Sequence, residues 1–273
     1  MKRLVKAVWA AAKRFDERNA FAASGYIAMA MLLAIFPFTV LALSIAGILS
    51  AKIDPQSIVD LIFGTWPETV AEPILKEIEA VTRQSGSASL TIGLILTLVF
   101  ASNGVEAIRL AITEVYRDTD PRPGWLTRLL NLGFVLAAAA VLIGVAILQV
   151  IVPLYLSYFD GTVLSGLNGL LASGIFRNIA TTAVLALGVT ACHLWLPGHR
   201  QPLRVILPGV VLTLVLWTVT GIAFAYYLEN LATYSVTYAG LAGIMAALIF
   251  LNLMAAIFIF GAEFNARLKV MPR

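Results

Sequence analysis

The chain is poor in charge. Only 12% of its 273 residues are Asp, Glu, Lys or Arg, about half the share usual in a soluble domain. It has one cysteine, Cys192, and two histidines, His193 and His199. An intrachain disulfide is therefore excluded, and so is a metal cluster built on thiolates. No GxxxxGK[ST] phosphate loop occurs, so the chain carries no Walker-type nucleotide site of its own. No nucleophile–base pattern and no metal-ligand spacing stands out, and neither an enzyme nor a cofactor is expected. The alternating dyads of a membrane barrel are missing. So is a cleavable leader, because the first apolar run is far longer than a signal-peptide core. No internal repeat is visible, which leaves an inverted-repeat transporter without support.

What the chain does have is apolar length. AVILMFWYC make up 60% of it, and the mean hydropathy is +0.91. A helix of about 20 apolar residues crosses the roughly 30 Å hydrocarbon layer. Six stretches qualify, at about Ala22–Leu49, Ala88–Ile112, Leu132–Leu156, Ile179–Leu196, Leu203–Leu228 and Tyr238–Ala262. Backbone amides in lipid must be satisfied within their own segment, so these are helices. The expected fold is all-α, a bundle of six transmembrane helices. Fifteen of the nineteen Lys and Arg residues fall on the two tails and on alternate gaps, which places both termini in the cytoplasm of a multi-pass inner-membrane protein. The same distribution explains the formal charge of +4 without invoking nucleic acid.

Three regions follow. Residues 1–21 form a basic tail with Leu4, Val5, Val8, Trp9 and Ala12 on one face, flanked by Lys2, Lys6 and Lys13. An interfacial helix and an ordinary juxtamembrane tail both fit that pattern. Residues 22–268 are the six-helix domain, and residues 269–273 are a cytoplasmic tail. The first external gap, 50–87, is acidic. Asp54-Pro55 reads as an N-cap followed by proline at the first helical position. A second short helix carries Val70, Ile74, Ile78 and Val81 at helical spacing. Two amphipathic helices lying over the outer ends of the bundle, or a dock for a periplasmic partner, both suit this segment.

Particular residues carry a resemblance. The first span holds Ser24-Gly25-Tyr26-Ile27-Ala28 and Ile35-Phe36-Pro37-Phe38. The second closes Ser102-Asn103-Gly104-Val105-Glu106-Ala107-Ile108-Arg109, before Tyr116 and Arg122-Pro123-Gly124-Trp125. The fifth holds Pro208-Gly209, Trp217, Phe224 and Tyr227. The sixth opens Tyr238-Ala239-Gly240-Leu241-Ala242-Gly243 and ends Gly261-Ala262-Glu263-Phe264-Asn265-Ala266. In this order they resemble the YihY/virulence factor BrkB family of bacterial inner-membrane proteins, over roughly residues 20–268. Three positions depart from the family pattern: Ala34-Ile35-Phe36-Pro37 stands for Ser-Leu-Phe-Pro, Thr113 for Asn, and Phe250 for Trp. The resemblance implies a six-helix protein linked to the cell envelope, with export or translocation of an envelope component suggested. Members have been labelled ribonuclease BN, a label that two histidines and no carboxylate cluster do not support.

Ionisable groups inside a span cost about 2.5–3.5 kcal/mol at the helix centre and usually face the bundle interior. Ser102, Asn103, Glu106, Arg109 and Thr113 share a stripe on the second span. It reads either as a polar cavity wall or as an internal Glu106–Arg109 pair at i, i+3. Glu263 and Asn265 are expected to pair with the basic loop of Arg117, Arg122 and Arg128. Ser24, Asn103, Glu106, Arg109, Asn131, His193 and Glu263 all fall in the cytoplasmic third, as a vestibule open to the cytoplasm would require. His193 and His199 read as interface histidines. Pro37 is a candidate hinge. Gly240 and Gly243, with Ala239 and Ala247, make a smooth face for an internal contact or a homo-oligomer seam. Two functions compete. One is a transporter or translocase of a lipid or other amphipathic envelope component, with membrane lipids as partners and a cytoplasm-facing cavity as the path. The other is an assembly protein that docks an envelope partner through residues 50–87.

Overall fold

The computed structural model describes residues 2–49, 71–72, 75–76, 87–116, 120–146, 173–198, 201–231 and 239–270. Within them are seven helices and no strand: α1 Lys2–Glu17, α2 Ala20–Leu49, α3 Ser87–Tyr116, α4 Gly124–Ala146, α5 Gly174–Trp195, α6 Leu203–Leu231 and α7 Ala239–Val270. The helices expected over 54–62 and 65–81 lie outside the described residues, apart from helical residues at 71–72 and 75–76. His199 and Arg117 lie outside them too.

Helices α2 to α7 are 22 to 32 residues long, enough to cross a bilayer by length. Four described stretches are both long and apolar enough to span: Gly124–Val141, Asn178–Trp195, Leu203–Leu228 and Gly243–Val270. Arg3–Glu17 and Ala20–Ile35 form a fifth as a pair bent by 74°. Helix α3 carries Glu106, Arg109 and Glu114 along its second half. The bend between α1 and α2 falls at Asn19, whose φ is 49°, a left-handed conformation that asparagine tolerates better than most residues. Its N–H closes the end of α1 on the Asp16 carbonyl at 2.9 Å.

Helix α7 runs two turns past the expected boundary at Ala262. Arg267 and Lys269 in its last turn suit the negative end of the helix dipole, so the helix continues beyond its apolar run. Helix α5 is capped at its start by Ser173, whose hydroxyl accepts from the Phe176 N–H at 3.2 Å. Pro37 falls inside α2 and Gly240 inside α7.

Packing is centred on α7. Helix α3 lies along α2, α2 along α7 and α7 along α6, with α4 against α3 and α5 against α6. Small residues allow the close contact: Ala107 and Ala111 of α3 meet Ile27 and Ala30 of α2 and Ala255, Ile259 and Ala262 of α7. The smooth face of α7 is an internal contact at Ala247, which is fully buried against Phe224 and Leu228 of α6 and against Ala71. Ala71 belongs to the acidic stretch between the first two apolar runs, and it reaches the α6–α7 seam.

Candidate functional site

Three polar constellations occupy the end of the bundle where α3 closes and α4 opens, the basic end. The first runs through α3, the following turn, α4 and the end of α5. Arg109 donates a fork to Glu106, Nε to Oε2 at 2.7 Å and Nη2 to Oε1 at 2.6 Å. Its third donor, Nη1, reaches Asp120 Oδ2 at 2.6 Å. Asn131 of α4 donates Nδ2 to Glu106 Oε2, also at 2.6 Å. Asp120 in turn accepts from the Arg122 backbone at 3.0 Å and from its guanidinium at 2.7 Å. Arg122 then caps the carbonyls of Trp195 and Leu196, groups that the last turn of α5 leaves without an intrahelical partner. The Arg122 guanidinium holds the Asp120 carboxyl well below the usual carboxylate range, at about 2. Gly198 completes the turn with φ +66°, and a Cβ there would meet Arg122 Nε and Asp120 Oδ1 at 3.0 Å. Charge-assisted bidentate bonds are the strong kind. This chain of them ties three helices together.

The second constellation surrounds Glu263 on α7. Its side chain is 0% exposed, and neither carboxylate oxygen has a hydrogen bond. Arg18, between α1 and α2, stands 3.9 Å away, and Arg267, one turn along α7, stands 4.0 Å away. A cavity of about 10 Å³ adjoins it, lined by Arg18, Ala23, Ala111, Glu114, Ile259 and Glu263 among others. That is room for about one water molecule. The expected pairing of Glu263 with Arg122 and Arg128 is therefore corrected, while Arg117 lies outside the described residues. Arg122 is occupied by Asp120 and the end of α5, while Arg128 is exposed. It is the bend at Asn19 that brings Arg18 to Glu263.

The third constellation is the α6–α7 seam. Pro208 sits inside α6 and cannot donate to the backbone ladder. Asn265 binds the backbone on either side of the proline. Its Oδ1 accepts from the Gly209 N–H at 2.7 Å, and its Nδ2 donates to the Ile206 carbonyl at 2.9 Å. The helices touch because both lack a side chain there. A Cβ at Gly261 would lie 2.1 Å from Thr213 Oγ1 and 2.9 Å from the Gly209 carbonyl. Trp217 donates Nε1 to the Met254 carbonyl at 2.8 Å and fastens the same seam higher up.

The candidates from the sequence divide accordingly. Glu106 and Arg109 form the internal pair rather than a free wall. Asn103 is on an exposed face and outside the cluster. Ser24 is fully buried, with Oγ 2.5 Å from Asn252 Oδ1 of α7 and 2.7 Å from the Phe21 carbonyl. Gly243 is buried. His193, in the last turn of α5, is 0% exposed, tilted against Phe258 at 5.2 Å, with Nδ1 3.2 Å from the Tyr116 hydroxyl. Three participants were missed: Asp120, Asn131 as a partner of Glu106, and Asn252. An asparagine in the apolar run of α7 was the available signal for Asn252. Among the described residues, no three His, Cys, Asp or Glu side chains converge so as to hold a metal ion.

The closing hexapeptide of α7 now has a reason at every position. Gly261 admits α6. Ala262 is buried against α2 and α3, Glu263 faces Arg18, and Phe264 covers Ala7 and Ala11 of α1. Asn265 bonds the α6 backbone beside Pro208, and Ala266 packs on the α2–α3 cluster. The virulence factor BrkB family matches residues 11–272. The chain belongs to that family. It is similar to the "Putative ribonuclease-like protein YfkH" of Bacillus subtilis, 26% identical over 259 residues that cover 90% of this chain and 88% of the relative. It is also similar to a "UPF0761 membrane protein" of Rhodospirillum centenum, 28% identical over 94% of this chain but only 56% of that relative. A third relative, a UPF0761 membrane protein of Alteromonas mediterranea, is 23% identical, with 94% of this chain and 85% of the relative covered. No solved structure matches. With its apolar helices, this BrkB family member is a multi-pass inner-membrane protein.

Proposed function

We propose that the chain moves a lipid or another amphipathic envelope component between leaflets, and that the arrangement described is the state closed at the basic end. In this reading α2 to α7 are six spans and both termini are cytoplasmic. Support comes from the basic residues gathered on one side, and from the outward row Leu203, Leu207, Val211, Val215, Val219 and Ile222 on α6, all exposed. Such a row suits acyl chains rather than water. The observation that carries the proposal is the Asn131–Glu106–Arg109–Asp120–Arg122 chain. Buried charges on spanning helices are costly and mark substrate or ion paths, and this chain lies across the end of α3, α4 and α5 where a cytoplasmic entrance would be. No nuclease role is part of the proposal. A docking role for residues 50–87 is the second reading, favoured by the acidic charge of that segment.

The test is reconstitution into liposomes with fluorescent lipids, following leaflet exchange by quenching from outside. Protein-dependent exchange that quickens in Glu106→Gln, whose fork to Arg109 is weakened, is the expected result. No exchange with any headgroup would count against passive lipid translocation and move the weight to the docking reading.

A further inference from the structure

Helix α1 presents three different surfaces. At 100° per residue, Ala7, Ala11, Arg14 and, just past its end, Arg18 fall within roughly 60° of one another. Ala7 and Ala11 are fully buried under Phe264. This sector meets the protein: Arg3 donates to the Leu268 carbonyl at 3.1 Å, and Phe15 meets Phe260 edge-on at 6.2 Å. The second sector holds Leu4, Val8, Val5 and Trp9, which are 51%, 40%, 67% and 70% exposed. The third sector holds Lys6, Lys13 and Glu17, all exposed, with Lys13 and Glu17 3.7 Å apart. A helix lying between two media needs only two faces. A third face is required when it also rests on a protein.

Orientation supplies the occupant of the apolar face. Helix α1 meets α2 at 74°, so with α2 along the membrane normal α1 lies within roughly 20° of the membrane plane, as interfacial helices do. Charge narrows the choice further. Residues 1–18 carry six Lys and Arg against Asp16 and Glu17, and the lysines flank the apolar sector, where they can reach headgroups with their stems in the interface.

We propose that the Leu4–Val5–Val8–Trp9 face of α1 is a docking surface for an anionic lipid leaflet. The proposal rests on the reading that α2 spans the membrane. The inner face of the same helix carries Arg14 and Arg18 towards Glu263, so the leaflet that holds α1 also holds Arg18 beside that carboxylate.

The experiment uses the full chain carrying Cys192→Ser and a single fluorophore at Val5→Cys, Lys13→Cys or Val215→Cys. The vesicles contain brominated phosphatidylcholine, with or without phosphatidylglycerol, and iodide is the aqueous quencher. Bromine should quench the label at position 5 and iodide the label at position 13. Removing phosphatidylglycerol, or substituting Lys2, Lys6 and Lys13 by Gln, should lower bromine quenching at position 5, because each lost charge weakens the leaflet contact by roughly fivefold. Iodide access at position 5, with Val215 quenched by bromine, overturns the proposal while leaving the spans intact. Shielding of position 5 from both quenchers means that protein, such as a second copy, covers the face, and overturns it as well. Quenching at position 5 indifferent to phosphatidylglycerol overturns the recognition of charge. Bromine failing to reach Val215 sinks the spanning reading, and the inference with it.

Discussion

Two acidic residues of the same bundle end live in opposite circumstances. Glu106 is partly exposed yet held by three hydrogen bonds of 2.6–2.7 Å from Arg109 and Asn131. Glu263 is wholly buried yet has no hydrogen bond, only guanidinium groups at 3.9 and 4.0 Å. The first arrangement is directional. It fixes the register of α3, α4 and the α5 end, because a short bidentate bond tolerates little displacement. The second is Coulombic and nearly indifferent to angle, so Arg18 and Glu263 can shift against each other by a fraction of an ångström with little loss of attraction. One fastens, whereas the other only attracts.

The sharpest way to break the fastening is to remove its centre. Arg109→Met leaves Glu106 and Asp120 as partly buried carboxylates without their shared cation, and loss of one partner of a buried pair costs about 3–5 kcal/mol. Unfolding of the purified chain by increasing dodecyl sulfate should show that loss. A variant as stable as wild type would mean that the α3–α5 chain bears no weight. Next in size is Asn265→Ala. It strips partners from the Gly209 N–H and the Ile206 carbonyl, each buried, at about 1–3 kcal/mol apiece. Asn265→Asp should recover only the acceptor half, which the same titration would resolve.

The fastened cluster also carries a pH signature. The folded pKa of Asp120 is lowered to about 2 from 3.8, so its contribution is present above the unfolded value, near pH 4, and is lost as pH falls through 2. The shift corresponds to about 2 kcal/mol. Wild type should lose that much more stability between pH 4 and 2 than Asp120→Asn. Equal losses would place Asp120 outside the network.

Much of the fold could be read before its structure. Apolar runs and basic gaps located the helices because a bilayer imposes length and charge asymmetry on local sequence. The stripe on α3 was legible at i, i+3 for the same reason, since both partners lie on one helix. What escaped was the partner across the bundle. Ser24 and Asn252 are 228 positions apart, and nothing local in either helix names the other. Glu263 meets Arg18 rather than Arg122 or Arg128 because distance along the chain does not reveal a bend at Asn19. Asp120 was passed over among arginines counted for topology, although its spacing two residues before Arg122 is what lets a tight turn join them. The hexapeptide at 261–266 was recognised as a pattern, and its reason is contact with α1, α2, α3 and α6 at once.

The smallest effect is the most discriminating. Glu263→Gln keeps the shape of the side chain and removes its charge. The charge gains attraction from Arg18 and Arg267 but lost its water on burial, and in such pairs the two terms nearly offset. With no hydrogen bond to break, stability should stay within about 1 kcal/mol of wild type, in either direction. Glu106→Gln, the same chemical change, weakens a charged fork and should cost about 1.5–3 kcal/mol. The two variants measured side by side in dodecyl sulfate decide whether hydrogen bonding or charge alone separates the sites. If Glu263→Gln proves as costly as Glu106→Gln, Coulombic attraction across 4 Å is holding α1 in place, and the contrast between fastening and attraction collapses.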